Sequence, residues 1–156
     1  MLKLKKSFVA VDLEAADAET VIQGLADRLH AGGMVKKSYG TAAIEREINH
    51  ATGLPTKPFP IAFPHADAEG VLQSALAVAI LAEPVIFKNM ADPEEDLAVE
   101  LVIMMANNSP EEQIETLRNL AEIFGEPEAL SALRNIKDSN GVVEWLANKL
   151  VLSDYS

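Results

Sequence analysis

The chain has 156 residues, with 24 Asp and Glu against 13 Lys and Arg and a formal net charge of −11. So acidic a surface repels a phosphate backbone or an anionic bilayer, which sets aside nucleic-acid binding and membrane insertion. There is no cysteine, so disulfides, thiolate catalysis and cysteine-type zinc sites are excluded together.

Apolar residues make up 49% and charged residues 24%, an ordinary globular balance, and the length fits one domain of about 100–200 residues. Lys3, Lys5 and Lys6 precede only a short apolar stretch before Asp12. A signal peptide needs a longer one. The longest apolar run, Ala75 to Ala82, falls far short of the ~20 residues that span a bilayer. The expectation is a soluble, cytoplasmic protein.

In chain order, Val9, Val11 and Leu13 alternate and predict a first strand. Asp17 caps a helix whose apolar stripe is Val21, Ile22, Leu25 and Leu29, and Gly32-Gly33 stops it. Ser38 opens a second helix with Ile44 and Ile48 inward. Gly53 and Pro55 end it, and Arg46 and His50 lie four apart on the opposite face. Phe59, Ile61 and Phe63 then alternate, with Pro60 confining that strand to an edge or a strand end.

The continuous apolar run Ala75–Leu81 predicts a strand covered on both faces. Glu83-Pro84 turns it, Val85–Phe87 returns, and Asn89–Asp96 forms an acidic loop. Leu97–Met105 is a second buried strand, interrupted by Glu100. Ser109-Pro110-Glu111-Glu112 combines an N-cap, a first-turn proline and a capping-box glutamate. Ile114, Leu117, Leu120 and Phe124 follow at helical spacing until Gly125. Glu126-Pro127 begins a shorter helix, and Asp138 begins the last, with Val142, Leu146 and Leu150 buried. Helices, then clustered strands, then helices make a layered α+β or α/β domain.

Most site types are missing from the sequence. It has no GxGxxG, no Walker-type loop and no GxSxG elbow, and its histidines stand at least 15 positions apart, which removes any local histidine metal motif. Glu94, Glu95 and Asp96 read as a solubilising loop; a weak calcium site at Asp92 and Asp96 is the lesser reading. No metal or cofactor is expected.

Histidine remains as the neutral-pH nucleophile or base. His30 and His50 each end a helix, where a cation suits the helix dipole, and read as structural; His50 could also line a site beside Arg46. His65 follows Pro64 where the predicted strand Phe59–Phe63 runs out, and such strand-end loops often carry function. By position alone it is either a site histidine or a loop histidine without a role.

The segment REINHATGLPTKPFPIAFPHAD resembles the phosphorylation-site region of the mannitol/fructose-type enzymes IIA of the sugar phosphotransferase system. That pattern is an Arg-Glu pair, a glycine-containing spacer, then apolar-Ala-apolar-Pro-His. Arg46-Glu47, Gly53 and Ile61-Ala62-Phe63-Pro64-His65 match it in order, and the likeness runs through nearly the whole chain. It implies an α/β fold, a three-layer α/β/α sandwich with a mixed, roughly five-stranded sheet, and a single enzyme IIA type-2 domain over 1–156.

The resemblance also implies a phosphocarrier. His65 accepts a phosphoryl group, at Nε2 by likeness to the family, from phospho-HPr and passes it to a cysteine of enzyme IIB. The membrane subunit IIC is reached only indirectly. Arg46 is the implied phosphoryl-stabilising cation; otherwise it is a solvated helix arginine. Where many relatives carry a second histidine, this chain has Gln113, an amide that can donate to a phosphoryl oxygen but cannot titrate. Its other reading is an exposed first-turn residue. Gln113 and TGLPTKPFP together resemble the galactitol-type members. The alternative function is a free-standing, nitrogen-type phosphorylation sensor that acts by binding proteins.

Overall fold

The computed structural model describes residues 2–150 and 152–155; the ends of the expected domain, Met1 and Ser156, lie outside them. Along the chain come β1 (Leu2–Leu4), β2 (Val9–Leu13), α1 (Ala18–Ala31), α2 (Tyr39–Asn49), β3 (Gly53–Leu54) and β4 (Ile61–Ala62). After them follow β5 (Ala75–Asn89), β6 (Asp92–Ala106), α3 (Pro110–Phe124), α4 (Pro127–Arg134), α5 (Ser139–Lys149) and β7 (Leu152–Tyr155).

The hairpin of β5 and β6 is the spine of a seven-stranded mixed sheet. β4 runs parallel to β6 through Ile61↔Leu101 and Ala62↔Val102, and β3 adds antiparallel to β4. On the other side of β5 lie β1 and β2, both parallel to it, with β7 parallel to β1. Residues Leu101 to Ala106 of β6 and Ala75 to Ala79 of β5 have no exposed surface, as strands covered on both faces require. Helices α1, α3 and α5 pack on β5, β6 and β2, completing the expected α/β/α layers.

Several local signals act as read. Asp17 accepts from the Thr20 N–H at 2.8 Å, Ser109 from Glu112 at 3.2 Å and Asp138 from Gly141 at 2.7 Å, each satisfying an otherwise unpaired helix N–H. Gly33 ends the first helix with φ +80, a conformation that costs glycine nothing.

Elsewhere the structure departs from the sequence reading. The chain does not turn at Glu83-Pro84. β5 continues to Asn89, and between the pairs Ile80↔Leu101 and Val85↔Val99 the residues Leu81, Ala82, Glu83 and Pro84 stand opposite Glu100 alone. The surplus is a bulge, which accommodates a proline lacking an N–H. The hairpin turn falls instead at Met90 and Ala91, so Asp92–Asp96 belongs to β6 rather than to a loop. There Asp96 pairs with Lys88, Asp92 accepts from the Glu94 N–H, and Glu95 takes the Asn89 amide. Val85–Phe87 is thus part of the same strand and not a return.

Of the alternating run Phe59–Phe63, only Ile61–Ala62 is strand. Pro60 sits just before it, its carbonyl accepting from the Glu100 N–H at 3.1 Å. Ser38 precedes α2 without a side-chain cap bond. Ile48 is 77% exposed and Ile114 60%, so neither points inward. The buried faces are Tyr39, Gly40 and Ala43 on α2, and Thr116, Leu120, Ile123 and Phe124 on α3.

Candidate functional site

His65 lies three residues past β4, at the buried end of β6. The Pro64 carbonyl accepts from the Met105 N–H at 3.1 Å, which ties the segment to that strand. The imidazole is only 7% exposed. It folds back on the chain, with Nδ1 3.0 Å from the Phe63 carbonyl oxygen and its ring stacked on that of Phe63 at 6.0 Å and 8°. A carbonyl can only accept, so Nδ1 carries the proton and Nε2 the lone pair. Among the described residues, Nε2 has no hydrogen-bond partner. Burial holds the imidazole below the usual histidine pKa, against the opposing pull of the Phe63 carbonyl; the Arg46 charge lowers it further and Asp67 raises it.

The neighbouring backbone is held by α2. Tyr39, the first residue of that helix, is buried; its hydroxyl donates to the Met105 carbonyl at 2.8 Å and accepts from the Ala66 N–H at 3.0 Å. Burial pushes its phenol up to about 12, so it stays protonated. At the other end of α2, the Glu47 carboxylate accepts twice from Thr52, from the N–H and from the hydroxyl, each at 2.8 Å. The Thr52 hydroxyl in turn accepts from the Phe63 N–H at 3.3 Å. Burial raises the Glu47 pKa, and the two Thr52 bonds work against that shift.

Arg46 projects from the last turn of α2. Its guanidinium stands 4.0 Å from the exposed Asp67 carboxylate, a separation worth little in water. Its Nε is shielded from solvent and has no hydrogen-bond partner among the described residues. Arg46, His50 and Asp67 line a cleft of about 500 Å³ that also reaches Tyr39 and Ala66. His65 is beside this cleft rather than in its wall.

The structure therefore brings Arg46 near His65. It does not join Gln113 to them by a hydrogen bond among the described residues. Gln113 is half-buried in the first turn of α3, its N–H donating to the Ser109 carbonyl. The contact α3 makes with the Phe63 ring comes from Phe124, at 6.0 Å, about 16 Å further along the helix at 1.5 Å per residue. His30 binds the Val35 carbonyl through Nδ1 at 3.0 Å, a local role. His50 reaches the cleft as well as ending its helix.

Sequence reasoning missed Tyr39 and Thr52. Glu47 was visible within the Arg-Glu pair, but its partner was not. No motif marks Tyr39; Thr52 offered only its place before Gly53.

The family described as phosphoenolpyruvate-dependent sugar phosphotransferase system, EIIA 2, matches residues 3–149. The chain belongs to this family and is a phosphotransferase component of such a system. Over 147 residues it is 28% identical to the galactitol-specific EIIA component of Escherichia coli K12, covering 94% of this chain and 97% of that one. The crystal structure of IIA mannitol from Escherichia coli superposes with a TM-score of 0.72 at 26% identity, over 90% of this chain and 96% of that one. A chain from the complex of enzyme IIA and phosphorylated enzyme IIB for mannitol, also from Escherichia coli, gives 0.75 at 24% identity, covering 95% and 99%. No helix among the described residues is long and apolar enough to cross a membrane.

Proposed function

We propose that this chain is the cytoplasmic, single-domain phosphocarrier of a galactitol-type sugar phosphotransferase system, with His65 as the phosphoryl acceptor. The observation that carries the reading is the bond from His65 Nδ1–H to the Phe63 carbonyl. It leaves Nε2 as the nucleophile without a separate base. The Nε2 lone pair attacks phosphorus of the phosphohistidine on HPr. A P–Nε2 bond forms as the donor's P–N bond breaks, and that electron pair returns to the donor ring.

The ring of His65 then carries a proton on Nδ1 and phosphoryl on Nε2, and is formally cationic. The Phe63 carbonyl disperses that charge, and the burial that disfavours it keeps the phosphoryl group transferable. Attack by a cysteine thiolate of enzyme IIB reverses the sequence: a P–S bond forms, the P–Nε2 bond breaks, and His65 regains its lone pair. Arg46 supplies charge to the equatorial oxygens, which need donors and alignment more than covalent help. Its partnerless Nε supports that role. Gln113 is a candidate further donor from the first turn of α3.

The galactitol assignment is supported by the galactitol-specific relative and by the amide at position 113. The test is incubation with phosphoenolpyruvate, enzyme I, HPr and a galactitol-type enzyme IIB. The expected result is phosphate on His65, then on the enzyme IIB cysteine. Phosphorylation of His65 with no onward transfer to any enzyme IIB would favour the sensor reading instead.

A further inference from the structure

The two residues that grip the backbone around His65 both come from the ends of one helix. Thr52, just past the C-terminal end of α2, holds the Phe63 N–H. Tyr39, at its N-terminal end, holds the Ala66 N–H. Each hydroxyl is used in the same way. It gives its proton to a fixed acceptor, Glu47 for Thr52 and the Met105 carbonyl for Tyr39, so that its lone pair faces the segment. Phe63 is the residue whose carbonyl orients the imidazole, and Ala66 is the residue directly after His65. We infer that α2 is a clamp, with Tyr39 and the Glu47–Thr52 pair as positioning residues that hold His65 in the Nδ1–H tautomer.

None of these side chains needs to touch phosphorus. Tyr39 is 1% and Thr52 2% exposed, so neither is placed to meet a partner protein. Their work is geometric. Loss of the Thr52 hydroxyl frees the Phe63 N–H and unpairs one Glu47 oxygen, and the Phe63 carbonyl, on the same residue, loses its fixed direction. Glu47→Gln is disruptive for a related reason: a carboxylate accepts from both Thr52 donors, whereas an amide opposes one donor with another.

The inference rests on the phosphocarrier reading, but it can be tested apart from it. Protein with nitrogen-15-labelled histidine is examined by NMR at pH 8, where the two ring nitrogens report the tautomer directly. The wild type should show His65 with Nδ1 protonated and Nε2 bare. Thr52→Val and Tyr39→Phe should each give a mixture of tautomers and a phosphoryl uptake rate from phospho-HPr reduced about tenfold to a hundredfold, the scale of an ångström misplacement. Thr52→Ser, which keeps the hydroxyl, should restore both.

A wild-type tautomer and rate in folded Thr52→Val and Tyr39→Phe would overturn the clamp. If Thr52→Val does not fold, the comparison of Tyr39→Phe and Thr52→Ser with wild type decides the matter by the same two readings. A wild-type protein that takes no phosphate would sink the phosphocarrier reading while leaving the tautomer measurement intact.

Discussion

The imidazole of His65 is held by the residue two places before it: Nδ1 lies 3.0 Å from the Phe63 carbonyl oxygen, and the two rings stack within 8° of parallel. One residue thereby supplies both the acceptor that chooses the tautomer and the apolar surface that excludes water. A single short segment, Phe63-Pro64-His65, can do this because Pro64 fixes its own φ and its carbonyl is tied to Met105.

Burial sets the pH dependence. With its pKa held below the ordinary 6.5, His65 should keep its nucleophilic lone pair well into mildly acidic buffer. The uptake rate from phospho-HPr should fall on acidification with its midpoint below about 6.5. Stability follows the same sign. Between 6.5 and the lowered folded value, the unfolded chain binds a proton that the folded chain refuses, so stability drops as pH falls through this window. A rate profile with its midpoint above 6.5 would contradict the burial argument.

Arg46→Ala should separate rate from stability. Its ion pair with Asp67 is long and exposed, so unfolding in denaturant should show a change within about 0.5 kcal/mol. The transfer rate should fall ten- to a thousandfold, about 1.4–4 kcal/mol. An unchanged rate with a lowered midpoint of unfolding would make Arg46 a structural residue.

Gln113→His tests the place of the first turn of α3. If that turn faces the phosphoryl group, the introduced imidazole adds a second titration coupled to that of His65. The rate profile between about pH 5.5 and 8.5 should then differ in shape from wild type. Superimposable profiles would put Gln113 away from the site, with Phe124 the relevant contribution of α3.

The parts of this fold that could be read from sequence are those in which the signal is local. Caps at Asp17, Ser109 and Asp138 announce their helices because the side chain bonds a backbone three residues on. The apolar runs of β5 and β6 announce buried strands. Glu83-Pro84 reads as a turn in the sequence because a proline beside an acidic residue looks the same in a turn and in a bulge; only pairing with Val99–Leu101 distinguishes them. β1, β3 and β7 are too short for any period to emerge and exist through their partners. Ile48 and Ile114 fit an apolar stripe, yet the helix face that is buried is chosen by Tyr39 and Thr116. At the site, the Pro-His motif pointed to His65. Tyr39 and Thr52 could not be found that way, because they act across 27 and 11 residues of chain through bonds to backbone groups.

The most direct measurement is the identification of the phosphorylated atom. The protein is incubated with phosphoenolpyruvate, enzyme I and HPr, weighed intact, and examined by phosphorus–nitrogen coupling in labelled histidine. One phosphoryl group should be gained, labile in acid and stable in base, and bonded to Nε2 of His65. His30→Ala and His50→Ala should gain it too, whereas a folded His65→Ala should gain none. Stoichiometric phosphorylation of His65→Ala, or a phosphoryl group on Nδ1, would contradict the account.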